Sequence, residues 1–216
     1  MPHDRRGALT LDEAVDLTRS GDIWIFRGSR APDRIIRTFT NAPVNHVGMS
    51  VVVDDLPPLI WHAELGRKQV DVWTGAHHRG TQLHDLRTAL ERWQTEYDNR
   101  VWLRQLHPEA GQREEDGMLR AIARLDGISF PSTGGLAGRW LRGRDAYVPR
   151  RERGRQATPA AAFCAEIVAR TYQEMGLLPH DRRATWYDPG RFWSGDYLPL
   201  AQGWELGGEV AVGSAA

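Results

Sequence analysis

Three side chains have the types and surroundings for acyl-transfer chemistry: Cys164, His46 and Glu64. Cys164 follows Thr158-Pro159-Ala160-Ala161-Ala162-Phe163, near the start of an amphipathic helix expected over Phe163 to Met175 and closed by Gly176. The free N–H groups and positive dipole end of a helix start lower a thiol's pKa. They also bind the oxyanion formed when a thiolate attacks an acyl carbon. A lone cysteine in an apolar helix is more often a small buried hydrophobe, and the helix alone favours that reading.

His46 opens a strand expected over His46 to Val53, with Val47, Met49, Val51 and Val53 on one face and His46, Gly48 and Ser50 on the other. After the turn Asp54-Asp55-Leu56-Pro57-Pro58, a second strand from Leu59 to Leu65 puts Ile60, His62 and Glu64 on one face. In the resulting antiparallel hairpin, either Glu64 or His62 falls beside His46. A group accepting the imidazole N–H there fixes the tautomer and supports the imidazolium. A satisfied, half-buried histidine and an exposed edge-strand acid explain the same letters.

Other clusters carry less. His62 with Glu64, or His77 with His78 and His84, suggest metal binding but lack a recognised ligand spacing, so neither a metal nor a cofactor is expected. There is no Walker loop, dinucleotide fingerprint or Gly-x-Ser-x-Gly elbow.

The elements that must position these groups are legible in outline. Thr10-Leu11-Asp12-Glu13 fits a capping box, opening a helix to about Arg19. Ile23-Trp24-Ile25-Phe26 reads as a buried strand. A short helix is expected over Pro32 to Phe39, a further strand over Gln69 to Trp73 and a helix over 85–97. Then come a strand from Val101 to Leu106 and a helix from Glu114 to Leu125. The Arg/Gly-rich stretch at about 132–157 reads as a long loop. The tail, with Trp186, Phe192, Trp193 and Trp204, is too aromatic to stay unpacked.

Composition narrows the function classes. At 216 residues, one domain over 1–216 is expected. Lys+Arg and Asp+Glu both number 28, which argues against a nucleic-acid partner held by bulk charge and against a polybasic membrane anchor. The single cysteine excludes an internal disulfide framework. No apolar run reaches the ~20 residues of a transmembrane segment, and the polar start lacks a signal core, so a cytoplasmic location is expected.

Four short motifs occur in order: Gly21-Asp22-Ile23-Trp24-Ile25-Phe26, Asn45-His46-Val47-Gly48-Met49, Trp61-His62-Ala63-Glu64 and Phe163-Cys164-Ala165-Glu166-Ile167-Val168-Ala169. From about Gly21 to Leu178 the chain resembles the circularly permuted papain-like cysteine hydrolases of the NlpC type. Within them it is similar to the YiiX-like group related to lecithin retinol acyltransferase, in which the histidine precedes the cysteine. Ala165 departs from the serine usual beside the cysteine, and Asn45 from the serine that commonly precedes the histidine.

The resemblance implies an α+β fold: a small antiparallel sheet or partly closed barrel packed against the cysteine helix. It also implies Cys164 as nucleophile, His46 as base and Glu64 as orienting residue. The Cys164 N–H, with a polar group near Asn45, would hold the oxyanion. Glu166, about 200° around the helix from Cys164, is assigned a structural role. The expected activity is an amidase or peptidase working through a thioester, without cofactor, on a small peptide, amide or acyl-ester substrate. A lipid acyl hydrolase or acyltransferase and a non-catalytic ligand-binding domain are the alternatives.

Overall fold

The computed structural model describes residues 8–28, 43–64, 66–128 and 159–213. The helix expected at Pro32–Phe39 and the Arg/Gly-rich loop at 132–157 lie outside the described residues.

The first helix, α1 (Leu11–Asp16), starts at the expected capping box, with Thr10 Oγ1 accepting from Glu13 N–H at 3.2 Å and Glu13 Oε2 accepting from Thr10 N–H at 2.8 Å. Gly21 then turns the chain at φ 87°, a backbone region that favours glycine. Asp22 behind it is fully buried and accepts the N–H groups of Arg19 (2.9 Å) and Leu106 (2.8 Å). The Gly-Asp pair thus clamps the entry of β1 (Ile23–Arg27) to a later part of the chain.

The remaining elements are β2 (His46–Val51), β3 (Leu59–Glu64), β4 (Gly80–Asp85), α2 (Leu86–Thr95), β5 (Arg100–Arg104), β6 (Leu106–His107), α3 (Gln112–Leu125), α4 (Pro159–Glu174), β7 (Glu205–Leu206) and β8 (Val210–Val212). Six strands form one antiparallel sheet in the order β4-β3-β2-β1-β5-β8, while β6 and β7 pair separately. The sheet is open, so of the two expected forms the antiparallel sheet is found and the barrel is not.

Alternation along the strands divides the core in two. Ile23, Ile25, Val47, Met49, Val51, Leu59, Trp61 and Ala63 face one way and share a core with Phe163, Cys164, Ile167, Val168 and Tyr172 of α4. Trp61 Nε1 donates to Thr171 Oγ1 at 3.0 Å, fixing the helix on this face. Helix α3 packs on α4 where Gly117 removes a side chain; a Cβ there would come within 2.8 Å of Met175 Cα. On the other face Trp24, Phe26 and Ile60 pack under Leu11 and Val15 of α1 and Leu86, Leu90 and Trp93 of α2.

Two expectations about the edges change. Gln69 to Trp73 forms no strand: Asp71 accepts Thr74 N–H and holds a turn that reaches Gly75, while Val70 and Trp73 are exposed. The edge strand is instead β4, whose Gly-Thr-Gln-Leu-His-Asp has a weak apolar alternation but a full ladder to β3. The tail packs back as expected. Arg104 donates to the carbonyls of Phe192 (2.6 Å), Leu206 (2.8 Å) and Gly207 (2.6 Å), and β8 pairs with β5.

Candidate functional site

The expected pair, Cys164 and His46, is divided by the sheet. Val47 and His46 are consecutive in β2 and point to opposite faces. Val47 joins the core around α4, and its N–H bonds the Cys164 sulfur. The His46 ring lies on the α2 side, with its centroid 4.3 Å from that of Trp93 and 5.5 Å from that of Phe26. No imidazole is a partner of the sulfur among the described residues. The correction has a simple cause. Helix α4 buries Phe163, Ile167, Val168 and Tyr172 against the Val47/Met49/Val51 face, while α1 and α2 cover the face that carries His46.

The thiol's surroundings also differ from those of an activated nucleophile. Helix α4 begins at Pro159, so Cys164 is its sixth residue and its N–H lies beyond the free N–H groups of the first turn. The side chain is fully buried, and desolvation pushes its pKa up to about 12 despite the Val47 N–H. Asn45, the other expected oxyanion residue, has its Oδ1 engaged by Gly28 N–H at 2.8 Å. Glu166 is paired with Arg170 at 2.8 Å, in keeping with a structural role.

On the opposite face the structure builds a centre from His46, His62, His84 and Glu64. Ladder β3–β4 pairs Ile60 with His84 and His62 with Gln82, which sets His62 and His84 diagonally on one face. Gly48 leaves room for them; a Cβ there would meet Ile60 Cδ1 at 2.7 Å and His62 Cβ at 3.3 Å. His46 Nε2 lies 3.1 Å from His62 Nδ1, and His62 Nε2 lies 2.9 Å from His84 Nδ1. His84 Nε2 lies 3.0 Å from Gln82 Oε1, and Glu64 Oε2 is 3.9 Å from His84 Nδ1. The neighbour of His46 is thus His62, one of the two options left open by the hairpin. Glu64 faces His84 instead, which corrects its assignment as the residue orienting His46.

The partners fix the protons of this chain. Gln82 Nε2 faces the carbonyls of Glu64 (3.4 Å) and Gly80 (3.5 Å), so Oε1 is the atom turned to His84. His84 then carries its proton on Nε2 and accepts on Nδ1 from His62 Nε2–H. His62 Nδ1 in turn accepts from His46 Nε2–H, leaving His46 Nδ1 as the bare end. All three rings are neutral at pH 7. Burial holds His46 down to about 3 and His84 down to about 4, while burial and then the two neighbouring histidines hold His62 well below its ordinary value. Burial raises the Glu64 carboxyl, partly offset by Arg92 and Lys68.

Ligand atoms of His62, His84 and Glu64 lie within 4.8 Å of one another, and all three residues are buried. Neutral imidazoles and a carboxylate are the donor set of a zinc-class ion. Tetrahedral ligands at about 2.0–2.1 Å from an ion stand about 3.3 Å apart. The observed 2.9 and 3.9 Å straddle that value, so small side-chain shifts suffice. Each imidazole also has the outer partner that orients metal-binding histidines: His46 Nε2 for His62 Nδ1, and Gln82 Oε1 for His84 Nε2. The expectation of no metal therefore meets a candidate metal centre. His62 and Glu64 were legible as a pair on one face; His84 needed the unrecognised strand β4.

No family model and no curated protein matches the sequence. Among solved structures, the crystal structure of metalloprotein yiiX from Escherichia coli O157:H7 is similar, with TM-score 0.47 and 15% identity, over 73% of this chain and 66% of that chain. Among the described residues, no helix is long and apolar enough to cross a membrane.

Proposed function

We propose that this chain is a metal-dependent protein of hydrolytic type, binding one zinc-class divalent ion through His62 Nε2, His84 Nδ1 and Glu64. The observation that carries this reading is the convergence of the three ligand atoms, with both imidazoles held in ligating orientation by His46 and Gln82. His62, His84 and Glu64 would hold the ion with a fourth position open, and the chemistry it would supply there is acidification of water or polarisation of a substrate oxygen.

The protein's own part is to supply neutral ligands and move one proton. In the metal-free chain His62 Nε2 carries the proton directed at His84. Ligation requires that proton to leave. His62 Nδ1 then takes the proton of His46 Nε2, and His46 Nδ1 takes one from solvent. One proton leaves and one enters, so all three rings stay neutral.

The test is zinc binding by the chelator-stripped protein, with hydrolysis of ester, amide and phosphoester panels measured beside it. The reading expects stoichiometric uptake at this centre, weakened at least about tenfold by His84→Ala or Glu64→Gln, and hydrolysis that follows metal content. Uptake unaffected by either substitution would refute it.

The cysteine acyl-hydrolase reading, including its lipid-acyl variant, stands as a second proposal. What supports it is the order of the four motifs and the Val47 N–H on the Cys164 sulfur. It requires a rearrangement that exposes the sulfur and brings it a base. Rapid alkylation of Cys164 by iodoacetamide near neutral pH would favour it. A non-catalytic binding domain would show metal uptake without turnover on any panel.

A further inference from the structure

A second group of ligating side chains lies off the outer edge of β4, in the loop that follows β3. Asp71 is fully buried there and tightly placed. Its Oδ1 accepts Leu83 N–H at 2.8 Å, and its Oδ2 accepts Thr74 N–H at 2.8 Å and the Thr74 hydroxyl at 2.5 Å. His78 Nε2 lies 3.4 Å from the same Oδ2, and its other ring nitrogen lies 3.4 Å from the Arg79 carbonyl. Asp126 arrives from the end of α3, held by its N–H to Ile122 O at 2.8 Å, while Gly127 N–H meets Thr81 O at 3.2 Å.

Ligand atoms of Asp71, His78 and Asp126 lie within 4.8 Å of one another. Asp126 Oδ1 is closed off from solvent and makes no hydrogen bond, and His78 Nε2, equally closed off, has only its long 3.4 Å contact to Asp71 Oδ2. A native structure seldom leaves such atoms unsatisfied without a role for them. The charge is also unbalanced. Two carboxylates face each other with one imidazole, and among the described residues no lysine or arginine is within ion-pair distance of either acid. A protonated His78 would neutralise only one of them. A divalent cation would satisfy the imidazole nitrogen, the orphaned oxygen and both negative charges at once.

We propose that Asp71, His78 and Asp126 form a second divalent-cation site, independent of the histidine centre, that ties the loop over residues 66–79 to the end of α3. Two carboxylates and one imidazole make it a harder donor set than His62, His84 and Glu64, suited to manganese(II) as well as zinc. The ligands come from a loop and from a helix end, each of which is also bonded to β4, through Leu83 and Thr81. The ion therefore acts as a brace, and trypsin sites at Arg67, Lys68 and Arg79 lie in or beside the braced loop.

The test titrates chelator-stripped full-length protein with zinc(II) and manganese(II), each alone, in three forms: wild type, Asp126→Asn, and His62→Ala/His84→Ala. The proposal expects the double-histidine variant to retain one equivalent of either metal and Asp126→Asn to lose that equivalent. It further expects metal to slow tryptic cleavage of the loop at least several-fold in wild type and not in Asp126→Asn. Asp126→Asn keeps the shape of the side chain, and an unchanged circular dichroism spectrum verifies its fold. If the double-histidine variant binds no metal while its fold is intact, or if Asp126→Asn changes neither uptake nor cleavage, the second site is refuted. Uptake lost only in Asp126→Asn would instead uphold it and refute the histidine centre.

Discussion

Acidifying the metal-free protein from about pH 7.5 to about pH 5 should destabilise it, and the histidine centre sets the size of the loss. An unfolded histidine takes up its proton near 6.5, whereas folded His46 does so at about 3 and His84 at about 4. These folded pKa values are depressed, so their stabilising effect is complete above 6.5 and disappears as pH falls towards the folded values. Each pH unit in that window costs about 1.4 kcal/mol. At about pH 5, His46 and His84 therefore withdraw about 2 kcal/mol each. His62 acts in the same direction.

Buried acids oppose them. Desolvation raises Asp22 from 3.8 to about 6, so the folded state gains a proton first on acidification, returning about 1.4 kcal/mol at about pH 5. Asp126, raised to about 6 by burial and then by Asp71, is partly exposed and returns less after screening. The histidines win, and the net loss should be about 2–3 kcal/mol. Urea unfolding in the presence of a chelator at the two pH values measures it. In His84→Asn, where the amide oxygen replaces Nδ1 as acceptor for His62, the loss should shrink by about 2 kcal/mol. Equal or greater stability at the lower pH would refute the assignment of neutral, buried rings.

Further outcomes follow from packing. Gly48→Ala drives a Cβ to 2.7 Å from Ile60 Cδ1, so it should cost about 1–3 kcal/mol by overpacking and weaken zinc binding by displacing His62, read by urea melts and zinc titration. Arg104→Leu strips three carbonyls of their donor in a nearly buried position and should lower stability by at least about 3 kcal/mol, with β8 exchanging amide hydrogens fastest. Cys164, held at about 12 and fully enclosed, should react with iodoacetamide at neutral pH far more slowly than glutathione, and become reactive only on unfolding.

Much of the scaffold was legible because its signals are local. The capping box at Thr10, the alternation in β2 and the Asp54–Pro58 turn each depend on neighbouring residues, and all appear in place. The same alternation already assigned His46 and Val47 to opposite faces. Which face α4 would cover was not legible, because the His46 side also carries an apolar core under α1 and α2; the separation of Cys164 from His46 is set by that long-range choice. The position of His84 was not legible either. Strand β4 has Leu83 as its only large apolar residue, and it forms because β3 offers an edge to pair with, a long-range fact. The Asp71 turn likewise overrode the strand propensity of Val70, Val72 and Trp73 by giving Thr74 N–H and the backbone of β4 a carboxylate partner.

The most direct measurement is a zinc titration by isothermal calorimetry of stripped Asp126→Asn protein, where only the histidine centre can respond. One equivalent should bind, and adding His84→Ala to that background should abolish it while the circular dichroism spectrum stays unchanged. A titration with no binding, or one that the loss of His84 leaves intact, would contradict the metal centre on which the functional reading rests.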